Sequence, residues 1–202
     1  MRALLLILDS VGCGSAPDAA AYGDEGSDTL GHICERLGGF SLPNLEHLGL
    51  AKILNRKNAP APRASWGRMR ERSAGKDTTT GHWEIAGVVL EQPFTVFAKF
   101  PDELVHAIER EAGVQFIGNF PRSGTVVLDE LGPEHMRTGK PILYTSADSV
   151  LQIAAHESIV PLPRLYEICK IARRHCDLVR IGRVIARPFI GEPGAFQRTA
   201  GR

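Results

Sequence analysis

Continuous apolar runs and amphipathic stretches succeed one another along this chain, and their alternation predicts α/β layers. Residues 2–9, Arg-Ala-Leu-Leu-Leu-Ile-Leu-Asp, are apolar almost throughout. That length without alternation suits a central parallel strand buried on both faces. Asp28 to Leu37 reads as a helix capped by Asp28 and stopped by Gly38 and Gly39. Residues 43–48 read as a second short helix, 65–72 as a strand and 82–88 as a helix. Residues 101–112 put Leu104, Val105, Ile108 and Ala112 on one helical face, with a proline at the start and Gly113 after it. Residues 114–117 read as a strand, and 125–131 and 134–137 as two short helices. Strands follow at 141–145 and 150–155, then the clearest amphipathic helix at 162–175, then a strand at 178–186. The stretch 57–63, Lys-Asn-Ala-Pro-Ala-Pro-Arg, reads as an exposed loop.

Composition narrows the class. The chain has 202 residues, enough for one or two domains with real cores. Its 24 Lys and Arg balance 23 Asp and Glu, so overall charge favours neither nucleic acid nor a membrane surface. The first apolar run is too short to span a bilayer and lacks a small-residue cleavage site, so the expectation is a cytoplasmic protein with no membrane partner. Cys13, Cys34, Cys169 and Cys176 make no C-x-x-C pair. They read as free thiols of a reducing compartment, with zinc as the distant alternative.

Candidate chemistry concentrates in two places. Lys76-Asp-Thr-Thr-Thr-Gly-His-Trp-Glu84 sets three hydroxyls between an acid and a glycine. At a loop-to-helix junction, backbone N–H groups and the helix dipole stabilise negative charge, so a threonine oxygen there is well placed as a nucleophile. The compatible structural reading is that Thr79 or Thr80 caps the helix at 82–88, with Glu84 in its first turn. Asp9 falls at the carboxyl end of the first strand, where open α/β sheets bind ligands. Gly12 and Gly14 follow it. A dinucleotide site is disfavoured there, because the third glycine is missing and Asp9 would repel a pyrophosphate. An acid before a flexible loop suits a metal ion better. Arg183 and Arg187 interrupt an otherwise apolar strand, and the planar fork of arginine matches phosphate. Arg173 and Arg174 read as a solvated helix face.

Taken together, these segments resemble the phosphopentomutases, metal-dependent members of the alkaline phosphatase superfamily. The resemblance is carried by Ile7 to Gly12, Ala16 to Ala19, Gly26 to Ile33, Leu42 to Leu45 and Gly75 to Gly87. It continues through Gly118-Asn119, Ser123-Gly124-Thr125, Tyr144 to Glu157 and Ile181 to Gly194. It implies a fold in which residues 1–92 begin a parallel-sheet catalytic core and residues 93–202 form an inserted α/β cap domain. It implies that Thr78 carries a phosphoryl group and that Asp9 and Thr78 ligate metal. Ser146 and Asp148 would hold sugar hydroxyls, while Arg183 and Arg198 approach the substrate phosphate. The implied reaction interconverts ribose or deoxyribose 1-phosphate and 5-phosphate, with two Mn2+ ions and a bisphosphate sugar activator.

Members of the family are about twice this long, and most of their metal ligands lie in a C-terminal half that nothing here matches. The expectation is therefore a chain that lacks a C-terminal segment and holds metal poorly, with residues 1–92 poorly packed. Asp148 otherwise reads as a local Asx turn. Two alternatives accompany the reading: a non-catalytic module that binds sugar phosphates, and a phosphohydrolase or other mutase of the same superfamily.

Overall fold

The computed structural model describes residues 2–8 and 10–201. It divides into two compact units, Met1–Glu71 and Arg72–Arg202. In the first unit a turn of 3-10 helix, Ala19–Tyr22, precedes α1 (Thr29–Arg36), α2 (Pro43–Leu48) and α3 (Leu50–Ile53). The Asp28 carboxylate caps α1 as the sequence predicts, accepting the Gly31 N–H at 3.0 Å. This carboxylate also accepts the Gly14 N–H, and the two bonds hold its pKa below the usual carboxylate range.

Two expected strands do not form in this unit. Residues 2–8 have no regular structure, and Leu4 is 92% exposed. Residues 65–70 are likewise irregular. A strand needs ladder partners, and an isolated one is not stable in water. All five strands of the sheet come from residues 117–198. Among the described residues of this unit the only buried hydrophobic side chains are Ala19 and Ala51, in keeping with the expected poor packing.

The second unit carries the α/β architecture. Its elements are α4 (Thr78–Ile85), α5 (Asp102–Ala112), β1 (Ile117–Pro121), α6 (Val126–Thr138), β2 (Ile142–Thr145), β3 (Val150–His156), α7 (Leu162–Leu178), β4 (Arg183–Ile190) and β5 (Gln197–Arg198). The strands lie side by side in chain order. Pairing is mixed: β1 with β2 and β3 with β4 are parallel, β2 with β3 and β4 with β5 antiparallel. Each parallel pair is bridged by a helix, α6 for the first and α7 for the second.

Strand alternation splits the core between two faces. Leu143, Leu151, Ile153, Ala155 and Ala186 pack against Leu104, Val105 and Ile108 of α5 and Leu165, Ile168 and Ala172 of α7. Ile142, Tyr144, Ala154 and Phe189 point the other way and meet Val127 and Leu128 of α6. Cys169 and Cys176 sit on the inner side of α7 as free thiols, and burial pushes both up to about 12.

The helix α6 runs unbroken where the sequence suggests two pieces. Pro133 lies inside it, and proline usually excludes its predecessor from helical geometry by a clash with that residue's Cβ. Its predecessor is Gly132, which has no Cβ. The same absence lets the Phe196 ring approach, since a Cβ at Gly132 would stand 2.3 Å from it.

Buried His135 ties α6 to β3. Its Nδ1–H donates to the Lys140 carbonyl at 2.7 Å, and its Nε2 accepts the His156 backbone N–H at 2.9 Å. The accepting Nε2 requires a neutral ring. Burial, and then the nearby His156, lower its pKa, against the Lys140 bond that raises it. The unfolded chain therefore takes up this proton more readily than the folded one. The stability linked to His135 is complete above its ordinary value of about 6.5 and is lost as pH falls through the lower folded value. Thermal unfolding followed from neutral to mildly acidic pH is expected to show this loss. His135→Gln should flatten that part of the profile, and an unchanged profile in the variant would contradict it.

Candidate functional site

The three threonines open α4 rather than precede it. Asp77 is the cap: one carboxylate oxygen accepts the N–H groups of Thr79 and Thr80 at 2.8 and 3.0 Å, and the other accepts the Thr80 hydroxyl at 3.0 Å. The expected cap at Thr79 or Thr80 is thus displaced to Asp77, and the helix starts four residues before His82. The physical reason is that a carboxylate serves two orphan amides and a hydroxyl at once, which a threonine oxygen does not. The hydroxyls are left in different states. Thr80 is buried and committed to Asp77, Thr79 Oγ1 is buried with no hydrogen-bond partner, and Thr78 is exposed.

Contacts on both flanks position α4. Glu84 accepts the N–H groups of Arg72 and Ser73 at 2.7 and 2.6 Å, and its bonds with Ser73 and Arg72 hold its pKa low. The Trp83 ring meets Phe94 edge-on at 5.5 Å. The segment carrying Phe94 is bound in turn to the loops at the start of β3 and β4. Arg180 donates to the carbonyls of Gln92 and Pro93, the Thr95 N–H donates to the Arg180 carbonyl, and the Ser149 hydroxyl donates to the Thr95 carbonyl. The same Ser149 oxygen accepts the Gly182 N–H at 3.0 Å. His82 turns back to donate from Nδ1 to the Thr78 carbonyl at 2.7 Å.

This chain of contacts delivers Thr78 to the β2–β3 loop. Its hydroxyl lies 3.4 Å from Asp148 Oδ2, and Arg183 donates to that same oxygen at 2.7 Å. The pair is about a third exposed, at 31% for Arg183 and 39% for Asp148. It therefore sets geometry more than it contributes stability. Arg183 Nε is buried and has no partner. Ser146 is half-buried in the same loop, where its carbonyl accepts the Thr145 hydroxyl at 3.4 Å.

Arg198 belongs to a second group. Its guanidinium packs on Gly124, beside the buried Tyr144 hydroxyl, and it shares a cavity with Arg187. Register places both groups on one side of the sheet. Tyr144 pairs with Gln152 and Gln152 with Ile185, and Arg183, Ile185 and Arg187 alternate onto that same face. Tyr144, Gln152 and Arg187 were not foreseen as a group. The signal for them was the pair of arginines four apart in an apolar strand.

Asp9 lies outside the described residues. Among the described residues, no group of three or more His, Cys, Asp or Glu side chains could hold a metal ion. The described donors thus do not make up the two-metal site that the resemblance implies. No helix of the described residues is long and apolar enough to cross a membrane.

No protein-family model matches the chain. Curated relatives match it end to end. The phosphopentomutase of Carboxydothermus hydrogenoformans is 55% identical over 210 residues, covering all of this chain and 53% of the relative. That of Acetivibrio thermocellus is 55% identical over 203 residues, covering 98% of this chain and 52% of the relative. That of Caldanaerobacter subterraneus subsp. tengcongensis is 53% identical over 209 residues, with coverage of 100% and 52%. The chain spans about half the length of the curated relatives it matches.

The cap at Asp77 makes a direct prediction. Asp77→Ala should cost about 1 kcal/mol in chemical denaturation, with most of the loss restored by Asp77→Asn. Equal stability of all three proteins would show that Asp77 does not hold the start of α4.

Proposed function

We propose, from a chain that belongs by sequence to the phosphopentomutase family, that these residues supply the nucleophile and the sugar-phosphate-binding groups of a phosphopentomutase. The observation that carries the proposal is the meeting of Thr78 and Arg183 on one carboxylate oxygen of Asp148. Thr78 is the phosphoryl carrier. Its oxygen is the exposed one of the three hydroxyls, and it stands in the first turn of α4, where backbone amides and the helix dipole favour an anion.

In the proposed cycle, phosphothreonine 78 gives its phosphoryl group to a free hydroxyl of a ribose or deoxyribose monophosphate. The bond from phosphorus to the threonine oxygen breaks, a bond to the sugar oxygen forms, and the sugar proton returns to the threonine. The product is a bisphosphate, which also serves as the activator of an unphosphorylated chain. Transfer of its other phosphoryl group back to Thr78 completes the exchange. Asp148 and Ser146 hold the sugar hydroxyls, and Arg183 fixes the Asp148 carboxylate that receives them. Arg198 takes the phosphate that is not being transferred. Exclusion of water separates a mutase from a phosphatase, and residues 93–202 are assigned that covering role.

The family is metal-dependent by resemblance, with two manganese ions as the reading. The steps assigned here are those of this chain's own side chains, because the described donors do not form such a site.

Incubation with labelled ribose 1,5-bisphosphate is expected to phosphorylate the protein on Thr78, and Thr78→Ala should reduce labelling to background. Label retained by that variant would move the nucleophile to Thr79. Absence of label from the unaltered protein would favour binding without transfer.

A further inference from the structure

The loop at 146–149 carries Ser146 and Asp148, and a buried hydroxyl stands at each end of it. Thr145, just before the loop, is 1% exposed, and Ser149, its last residue, is 2% exposed. A hydroxyl so buried is costly unless it is hydrogen-bonded. Thr145 meets that demand locally, donating to the Val150 carbonyl at 3.0 Å. Ser149 meets it outside the loop. Its proton goes to the Thr95 carbonyl, 54 positions earlier in the chain. Its oxygen accepts the Gly182 N–H at 3.0 Å, 33 positions later.

One hydroxyl thus joins three segments, and each leads directly to a group of the site. Ser149 follows Asp148. Gly182 precedes Arg183, whose N–H donates to the Ser149 carbonyl at 3.1 Å. Thr95 follows Phe94, the ring that Trp83 of α4 meets edge-on at 5.5 Å. Phe94 lies against Gly182, where an added Cβ would stand 3.2 Å from its ring. Thr78 opens the helix that carries Trp83. A continuous path therefore runs from Ser149 through Thr95, Phe94 and Trp83 to Thr78. It closes on itself where the Thr78 hydroxyl faces Asp148 Oδ2 at 3.4 Å.

The Ser149 hydroxyl is buried and engaged on backbone groups as both donor and acceptor, so it acts through its neighbours. We propose that Ser149 is the positioning residue that sets Thr78 against Asp148, by fixing the segment that carries Phe94 to the starts of β3 and β4. The proposal rests on the reading of Thr78 as the phosphoryl carrier. A misplacement of about 1 Å can slow a reaction on the order of a hundredfold, so this bond bears on rate beyond its part in stability.

The test compares Ser149→Ala with Ile168→Val, a core variant on α7 that lowers stability away from this path. Transfer from labelled ribose 1,5-bisphosphate to the whole chain is timed at a temperature where circular dichroism shows both variants folded. Ser149→Ala should take label about tenfold or more slowly than the unaltered chain, and Ile168→Val at the unaltered rate. In amide NMR spectra, Ser149→Ala should move the Thr78 and Trp83 resonances as well as those of Thr95 and Gly182. Phe94→Leu, which keeps apolar bulk and breaks the ring contact with Trp83, should act in the same direction on both readouts, and it replaces Ser149→Ala if that variant does not fold. An unchanged labelling rate, an equal slowing in Ile168→Val, or an unmoved Thr78 resonance would overturn the proposal. If the unaltered chain takes no label, the phosphoryl-carrier reading fails and the spectra decide alone. Movement at Thr78 then keeps Ser149 as the link between α4 and the loop, and changes confined to Thr95 and Gly182 overturn it.

Discussion

One carboxylate oxygen, Asp148 Oδ2, joins the start of α4 to the start of β4. It receives Arg183 at 2.7 Å and faces the Thr78 hydroxyl at 3.4 Å. The two side chains come from sequence positions far apart. In solvent this exposed the pair is worth little as stability. Its value is directional, because a planar guanidinium fixes the carboxylate and the carboxylate orients the hydroxyl. Removing the acid would leave Arg183, whose Nε already lacks a partner, without its anion.

The rest of the unit Arg72–Arg202 keeps that oxygen in place. Helices α5 and α7 cover one face of the sheet with large aliphatic side chains, among them Ile108, Leu165 and Ile168 at 0% exposure. Deleting a side chain so buried ordinarily costs about 2–5 kcal/mol, so this layer is the rigid backing. Helix α6 covers part of the opposite face, over Ile142, Ala154 and Phe189. Its cover leaves a polar strip of Arg183, Gln152 and Arg187. The proposed chemistry lies along that strip, from Thr78 at one end to Arg198 at the other.

Much of this was legible in the sequence. The helical face of Leu104, Val105, Ile108 and Ala112, ended by Gly113, gives α5 directly, because burial follows the 3.6-residue period. The strands at 142–145 and 150–156 follow from their apolar composition. The strand expected at 178–186 instead lies at 183–190, because α7 continues to Leu178. Local pattern does not say where an amphipathic face outruns its neighbour. The Gly132-Pro133 pair misled for a different reason: proline signals a break, but a glycine before it removes the Cβ part of the clash that disfavours helix there. Residues 2–9 read as a buried strand on apolarity alone, yet pairing is a property of partners and not of the segment.

The candidate site was legible in its members but not in its grouping. Thr78, Asp148 and Arg183 were singled out separately, and only the fold shows them on one oxygen. Arg183 reaches Asp148 and Arg187 reaches Gln152, and spacing does not encode which acceptor each finds. The most direct test is a crystal structure of the chain with ribose 5-phosphate. The account predicts the sugar hydroxyls at Ser146 and Asp148, with the ligand on the sheet face that carries Arg183 and Arg187. A ligand bound elsewhere, with Asp148 and Arg183 still paired only to each other, would contradict it.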